Sequence, residues 1–203
     1  MPQILKEDRR QSIIAAAKKE LLTYGYRDAS MRRIALKSHM TVGNLYRYFA
    51  NKDELIQSIV SPTLSKIEKG IAALTQSDFC FGSDFSKMDF THTNLSNLFD
   101  RIGDLLADIY ESDREEMQIL MMHSKLNESL GLYFADLLEH FGFKGLPSSL
   151  SLKKRKIMAK SVAVSIFSGV KECLKDNIKT DDLKNLLHLY FRIYADVLNL
   201  SCN

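Results

Sequence analysis

Residues 29–56 read ASMRRIALKSHMTVGNLYRYFANKDELI. Ile34 and Ala35 are an apolar pair that a short helix turns inward, and Ser30 stands where its N-cap belongs. Arg32 and Arg33 fall in the first turn of that helix. Cations there oppose the helix dipole, so these two are expected to serve a partner rather than the helix. Only Ser38, His39 and Met40 separate this segment from a second helix, capped by Thr41 and running through Tyr48. Two short helices joined by so tight a turn, the second displaying Asn44, Tyr46 and Arg47, form a helix-turn-helix pattern. Asn51 then caps a further helix, with Asp53 and Glu54 in its first turn and Glu54 in capping-box position.

Upstream, EDRRQSIIAAAKKELLTYG places Ile13, Ile14, Ala17, Leu21 and Leu22 on one helical stripe, and Gly25 supplies a left-handed stop. Charge is distributed unevenly. Residues 1–60 hold 11 Lys/Arg against 6 Asp/Glu, net +5, whereas residues 61–203 are net −2, within a total of +3. A basic head on a mildly acidic body points to a polyanion-binding segment joined to a second function. With 203 residues and 45% apolar content the chain can bury a full core. No apolar run approaches the roughly 20 residues needed to span a bilayer, and the charged start MPQILKEDRR does not read as a signal peptide, so a cytoplasmic location is expected. Cys80, Cys173 and Cys202 are isolated, without disulfide or zinc spacing, and no metal or cofactor is implied.

At residues 7–60 the chain resembles the DNA-binding segment of the tetracycline-repressor (TetR) family. The resemblance rests on Ser30, the pair Ile34-Ala35, the tight turn, Leu45-Tyr46-Arg47-Tyr48-Phe49 and Lys52-Asp53. His39 departs from the pattern, because the family's turn usually carries Gly there; a left-handed conformation costs His more than Gly. The resemblance implies base contacts from Arg32, Thr41, Val42, Gly43 and Asn44, with Arg32 suited to guanine, Asn44 to adenine, and Gly43 permitting close approach. It implies phosphate contacts from Tyr46, Tyr48 and Lys52. Alternatives stand beside three of these positions: a half-buried ring for Tyr46, simple packing against a thymine-methyl contact for Val42, and a solvated side chain against DNA contact for Arg47. Leu45 and Phe49 are expected inward with Ile34, Met40 and Leu55.

Beyond residue 60, Pro62 is expected to interrupt the helical period and mark the junction between a helix-turn-helix domain, 1–60, and a helical ligand-sensing and dimerisation domain, 61–203. Ser77 to Phe90 reads as a loop. Helices are expected over 93–110, over 112–141 with a break near 127–131, over 152–176 and over 180–201. The last two are apolar around most of their circumference, whereas one-sided packing buries roughly a third. That breadth, with Val162, Ile166, Val170, Leu187, Tyr190, Phe191, Tyr194 and Leu198 as interface residues, fits a four-helix bundle across a two-fold axis, which is also how TetR-like proteins dimerise; the competing reading buries both helices within one chain.

The resemblance further implies a small-molecule effector bound in the body. Phe99, Ile102, Met117, Met121 and Phe134 are candidate apolar lining, with Tyr110 and His123 as polar contacts, although such stripes are commonly plain core. The expected architecture is therefore all-α, and the expected function is that of a non-enzymatic, sequence-specific regulator, a ligand-released repressor binding a palindromic operator on double-stranded DNA as a homodimer. The alternative is a DNA-binding accessory protein whose body recruits a protein partner. A helical enzyme is disfavoured, because no nucleophile-base, paired-carboxylate or phosphate-loop signature is present.

Overall fold

Gly25 adopts φ 73°, ψ 175°, a region open essentially to glycine alone. The computed structural model of the chain describes residues 3–75, 95–123, 135, 151–174 and 178–200. Helix α1 spans Gln3–Asp28 and is broken at Gly25, as the sequence leads one to expect, but it resumes for one more turn closed by the Ala29 amide on the Gly25 carbonyl at 3.1 Å. Its stripe of Ile13, Ala17 and Leu21 is buried. Helices α2 (Met31–Lys37), α3 (Val42–Tyr46) and α4 (Lys52–Thr75) follow, then α5 (Leu95–Ser112), α6 (Arg114–Met122), α7 (Leu152–Cys173) and α8 (Thr180–Leu200). The architecture is all-α, and no strand occurs among the described residues.

Two expectations are corrected. Helix α4 runs unbroken through Pro62. Pro62 is exposed, so the lost ladder bond lies on an accessible face, while Ile59, Val60 and Ile67 are buried and hold the helix in place. The helix expected from residue 112 stops at Met122, where His123 turns extended and sets its ring edge-on to Tyr26 at 4.9 Å. The helices expected over 93–110, 152–176 and 180–201 agree with α5, α7 and α8 to within a turn; the loop at 77–90, the break at 127–131 and Phe134 lie outside the described residues.

The chain divides into two compact units. The first is Met1–Leu64 with Asp113–His123; the second is Ser65–Ser112 with Ser124–Asn203. In the first, Ile34, Leu45, Phe49 and Leu55 are buried and Met40 is half-buried, as their spacing requires. Burying side chains of this size contributes roughly 1.5–3 kcal/mol each. Helix α6 joins this unit through Lys18, which pairs with Glu116 and, at 3.6 Å, with Glu115, and through the Thr63 hydroxyl, which donates to Asp113 at 2.9 Å. In the second unit the Phe99 and Phe191 rings stack α5 on α8 at 5.5 Å. At Gly169 on α7 a Cβ would lie 2.0 Å from Tyr190, so only glycine lets that ring cross and donate its hydroxyl to the Ser165 carbonyl at 2.8 Å.

Candidate nucleic-acid interface

Helix α2 owes its orientation to a buried acid. Glu20, on α1, accepts from Arg33 Nε at 2.5 Å, from Lys37 Nζ at 2.9 Å and from the Ser30 amide at 3.2 Å. Burial pushes its carboxyl pKa up, but the bonds from Lys37, Arg33 and the Ser30 amide outweigh this and hold it below the ordinary value. Ser30 occupies the N-cap position with extended backbone, yet its side chain makes no capping bond. Arg33 is therefore committed to the protein itself, since it also donates to the Asp28 carbonyl and lies over the Tyr24 ring at 4.4 Å. The outward role expected of both first-turn arginines thus narrows to Arg32, which is exposed.

The turn between α2 and α3 is a Schellman motif. The Met40 amide donates to the Ala35 carbonyl at 3.0 Å and the His39 amide to the Leu36 carbonyl at 3.1 Å, which places His39 at the left-handed position with φ 55°. Among the described residues it alone, glycines aside, has positive φ. The Ser38 hydroxyl donates back to the Ile34 carbonyl at 2.8 Å and closes α2.

Thr41 caps α3 by accepting the Asn44 amide at 3.2 Å. The α-helix ends at Tyr46, and Arg47 and Tyr48 follow in a tight turn, two residues short of the expected end, within the usual fraying. Thr41, Gly43, Tyr46 and Arg47 are exposed, Tyr46 by 47%, while Val42, Asn44 and Tyr48 are half-buried. A Cβ at Gly43 would meet nothing within 4 Å. Nothing within the chain demands glycine there.

Helix α4 starts on a capping box. The Glu54 amide donates to Asn51 Oδ1 at 2.8 Å, and Glu54 Oε2 accepts the Ala50 amide at 2.7 Å, one residue before the expected partner. Lys52 donates to the carbonyls of Tyr26 at 2.6 Å and Ala29 at 3.1 Å and lies over the Tyr26 ring at 4.7 Å. Its ammonium therefore neutralises the end of α1. The Tyr26 hydroxyl donates to Asp53 at 2.6 Å, and this bond, with burial, raises the Tyr26 pKa. Nothing in the sequence pattern flags Glu20 or the Lys52 cap, because each joins residues far apart in the chain.

One open groove of about 690 Å³ is lined by Lys6, Arg9, Thr41, Gly43, Asn44, Arg47 and Tyr48. It brings together four of the residues expected to face DNA.

The other expected site residues divide between the units. Phe99, Ile102 and Tyr110 are buried in the second, whereas Met117, Met121 and His123 are buried in the first. Of the expected interface residues, Ile166, Val170, Leu187 and Phe191 are already buried within the chain, so a partner has no further surface to take from them; Val162, Tyr190 and Tyr194 are half-buried, and the side chain of Leu198 lies outside the described residues. The exposed apolar residues of these helices are others, among them Leu186, Leu189 at 61% and Ile193 at 56% on α8, and Leu152, Ile157 at 57%, Met158 and Val164 on α7. Among the described residues no helix is long and apolar enough to cross a membrane.

A short capped helix presented beyond a tight turn, on a basic unit, defines a helix-turn-helix DNA-binding domain. The family described as "Bacterial regulatory proteins, tetR family" matches residues 13–59. A helix-turn-helix-type transcriptional regulator of Bacillus subtilis (strain 168), YhgD, is 31% identical over 62 residues, 30% of this chain and 32% of that protein, so the likeness spans about a third of the relative's length. In fold, the chain is similar to a TetR-family transcriptional regulator of Syntrophomonas wolfei, with TM-score 0.64 and 15% identity over 94% of this chain and 96% of that one. It is also similar to Thermus thermophilus FadR, a TetR-family transcriptional repressor solved in complex with lauroyl-CoA, with TM-score 0.50 and 16% identity over 91% and 92%. Residues 13–59 thus match the DNA-binding segment of the TetR family, and the fold of the chain is similar to that of TetR-family regulators over most of its length.

Proposed function

We propose that this chain is a cytoplasmic, non-enzymatic repressor that binds a near-palindromic operator as a homodimer and is released by an apolar small molecule. One observation carries the DNA reading: α3 is held by a cap, a Schellman turn and a buried core while Thr41, Gly43, Tyr46 and Arg47 remain exposed, with open space above Gly43. In this reading α3 enters the major groove. Arg32, Thr41, Val42, Gly43 and Asn44 face base edges, and the hydroxyls of Tyr46 and Tyr48 bind phosphates. Lys52 contributes chiefly by fixing the start of α4 to the end of α1, since its ammonium is engaged by carbonyls there.

The row Leu186, Leu189 and Ile193 supports the dimer, because three apolar side chains on one face of an otherwise well-packed helix are what a second copy would cover. Two copies would set their recognition helices about 34 Å apart, one turn of DNA. An effector that binds the DNA-incompetent spacing more tightly then releases the operator by its differential affinity. The apolar side chains of Phe99 and Ile102, with Tyr110 as a polar contact, and the lauroyl-CoA complex of the Thermus thermophilus relative favour an apolar effector taken up by the second unit. The test is release of a bound operator duplex by titrated lauroyl-CoA and by a panel of other apolar ligands. Concentration-dependent release by any of them supports the reading; DNA occupancy unmoved by the whole panel contradicts the effector half of it.

A further inference from the structure

The first turns of α1 form one wall of the groove beside α3. Lys6 and Arg9 line it together with Thr41, Asn44, Arg47 and Tyr48. Three of its lining residues are cations and none is an acid. Lys6 and Arg9 lie three apart on a helix and so share a face, while Arg10 is anchored over the Phe49 ring at 5.3 Å, which fixes how α1 is rotated. Arg9 Nε is buried and has no hydrogen-bond partner among the described residues. Burial of Nε fixes the guanidinium in place, and three cations with no acid around one open groove attract an anionic occupant.

We infer that Lys6 and Arg9 clamp the sugar-phosphate strand that borders the major groove read by α3, from the side opposite Arg47 and Tyr48. The ligand is the phosphodiester backbone, recognised by charge and not by sequence. This rests on the reading of α3 as the recognition helix, and the two can fail separately. The two sides complement each other: the hydroxyls of Thr41 and Tyr48, the Asn44 amide and Arg47 orient the strand from the α3 side, while Lys6 and Arg9 follow it from the α1 side.

The test uses the full chain, its Lys6→Ala, Arg9→Ala and double variants, Arg9→Lys, and Arg32→Ala as a control. The probes are the duplex selected by the unaltered chain from random sequences and an unrelated duplex of equal length, each titrated over a salt series, with thermal melting to confirm folding. Each alanine variant should weaken binding to both duplexes about five- to tenfold and lower the slope of log affinity against log salt by about 1 per subunit, the double variant by about 2, with Arg9→Lys close to the unaltered chain. An unchanged salt slope in the folded double variant, while Arg32→Ala still alters sequence preference, overturns the clamp and leaves the recognition helix standing. Changed preference at flanking base pairs without uniform weakening also overturns it, because Lys6 and Arg9 would then read bases. Failure of the unaltered chain to retain either duplex overturns both.

Discussion

Glu20 on α1 and Arg33 on α2 stand 13 residues apart and meet at 2.5 Å, with the carboxylate fully buried and the guanidinium 44% exposed. Lys37 closes the same acid from the next turn at 2.9 Å. This pairing ties the first helix of the DNA-binding unit to the second and sets where the turn and α3 begin.

Glu20→Gln should therefore loosen the unit. The cations it leaves are exposed and regain water, so the loss should be about 1–3 kcal/mol, below that for stranding a buried charge. The pH dependence has a definite sign. Because the folded-state pKa of Glu20 lies below its unfolded value, its contribution is fully present above the ordinary carboxylate range near 4.5 and is lost as pH falls through the lower folded value. Urea melts across the acid range should show a shallower loss for Glu20→Gln than for the unaltered chain; parallel curves would contradict this.

At His39, φ 55° makes a non-glycine residue carry the left-handed turn. The left-handed region costs about 1–2 kcal/mol for an L-residue, partly offset by the larger unfolded-state entropy of glycine, so His39→Gly should stabilise the chain by about 0.5–1 kcal/mol. His39→Val should destabilise it, since a β-branched residue tolerates this region least. Chemical denaturation decides both.

Gly43→Ala separates folding from recognition. Nothing within 4 Å opposes a Cβ, and alanine favours helix over glycine by up to about 1 kcal/mol, so stability should hold or rise. If the backbone at Gly43 approaches the DNA closely, operator affinity should nevertheless fall about tenfold or more. Equal affinity in the two proteins would remove Gly43 from the interface.

Lys52→Ala and Arg32→Ala should differ in kind. Loss of the Lys52 ammonium leaves the carbonyls of Tyr26 and Ala29 without their donor and should lower stability by about 1–2 kcal/mol while weakening all DNA alike. Arg32→Ala should leave melting unchanged and relax sequence preference at one base pair by about 1–3 kcal/mol.

The exposed row on α8 predicts that Leu189→Glu with Ile193→Glu yields a folded monomer by sedimentation, with half-site binding only. A variant that stays dimeric would move the interface elsewhere.

Much of the helix-turn-helix unit was legible because its signals are local. Caps at Thr41 and Asn51, the inward pattern of Leu45 and Phe49, and the left-handed position of His39 all follow from neighbours within a few residues. Burial of Glu20, commitment of Arg33, the carbonyl cap by Lys52 and the attachment of α6 through Lys18 were not legible, since each depends on which distant segments meet. Pro62 misled for a related reason: a lone proline breaks an isolated helix, but an exposed one survives where the opposite face is held by Ile59, Val60 and Ile67. On α7 and α8 the breadth of the apolar face was visible from sequence, whereas its division into residues that pack within the chain and residues left exposed was set by α5 lying against α8.

Selection of random-sequence duplexes on the purified chain, with sequencing of those retained and a repeat at raised salt, tests directly whether α3 reads DNA from a dimer. A dimeric sequence reader retains a near-palindrome whose half-sites lie about one helical turn, roughly 10 base pairs, apart and which persists as salt rises. Retention that shares no sequence and vanishes with salt would contradict it, leaving a basic head without a reading helix.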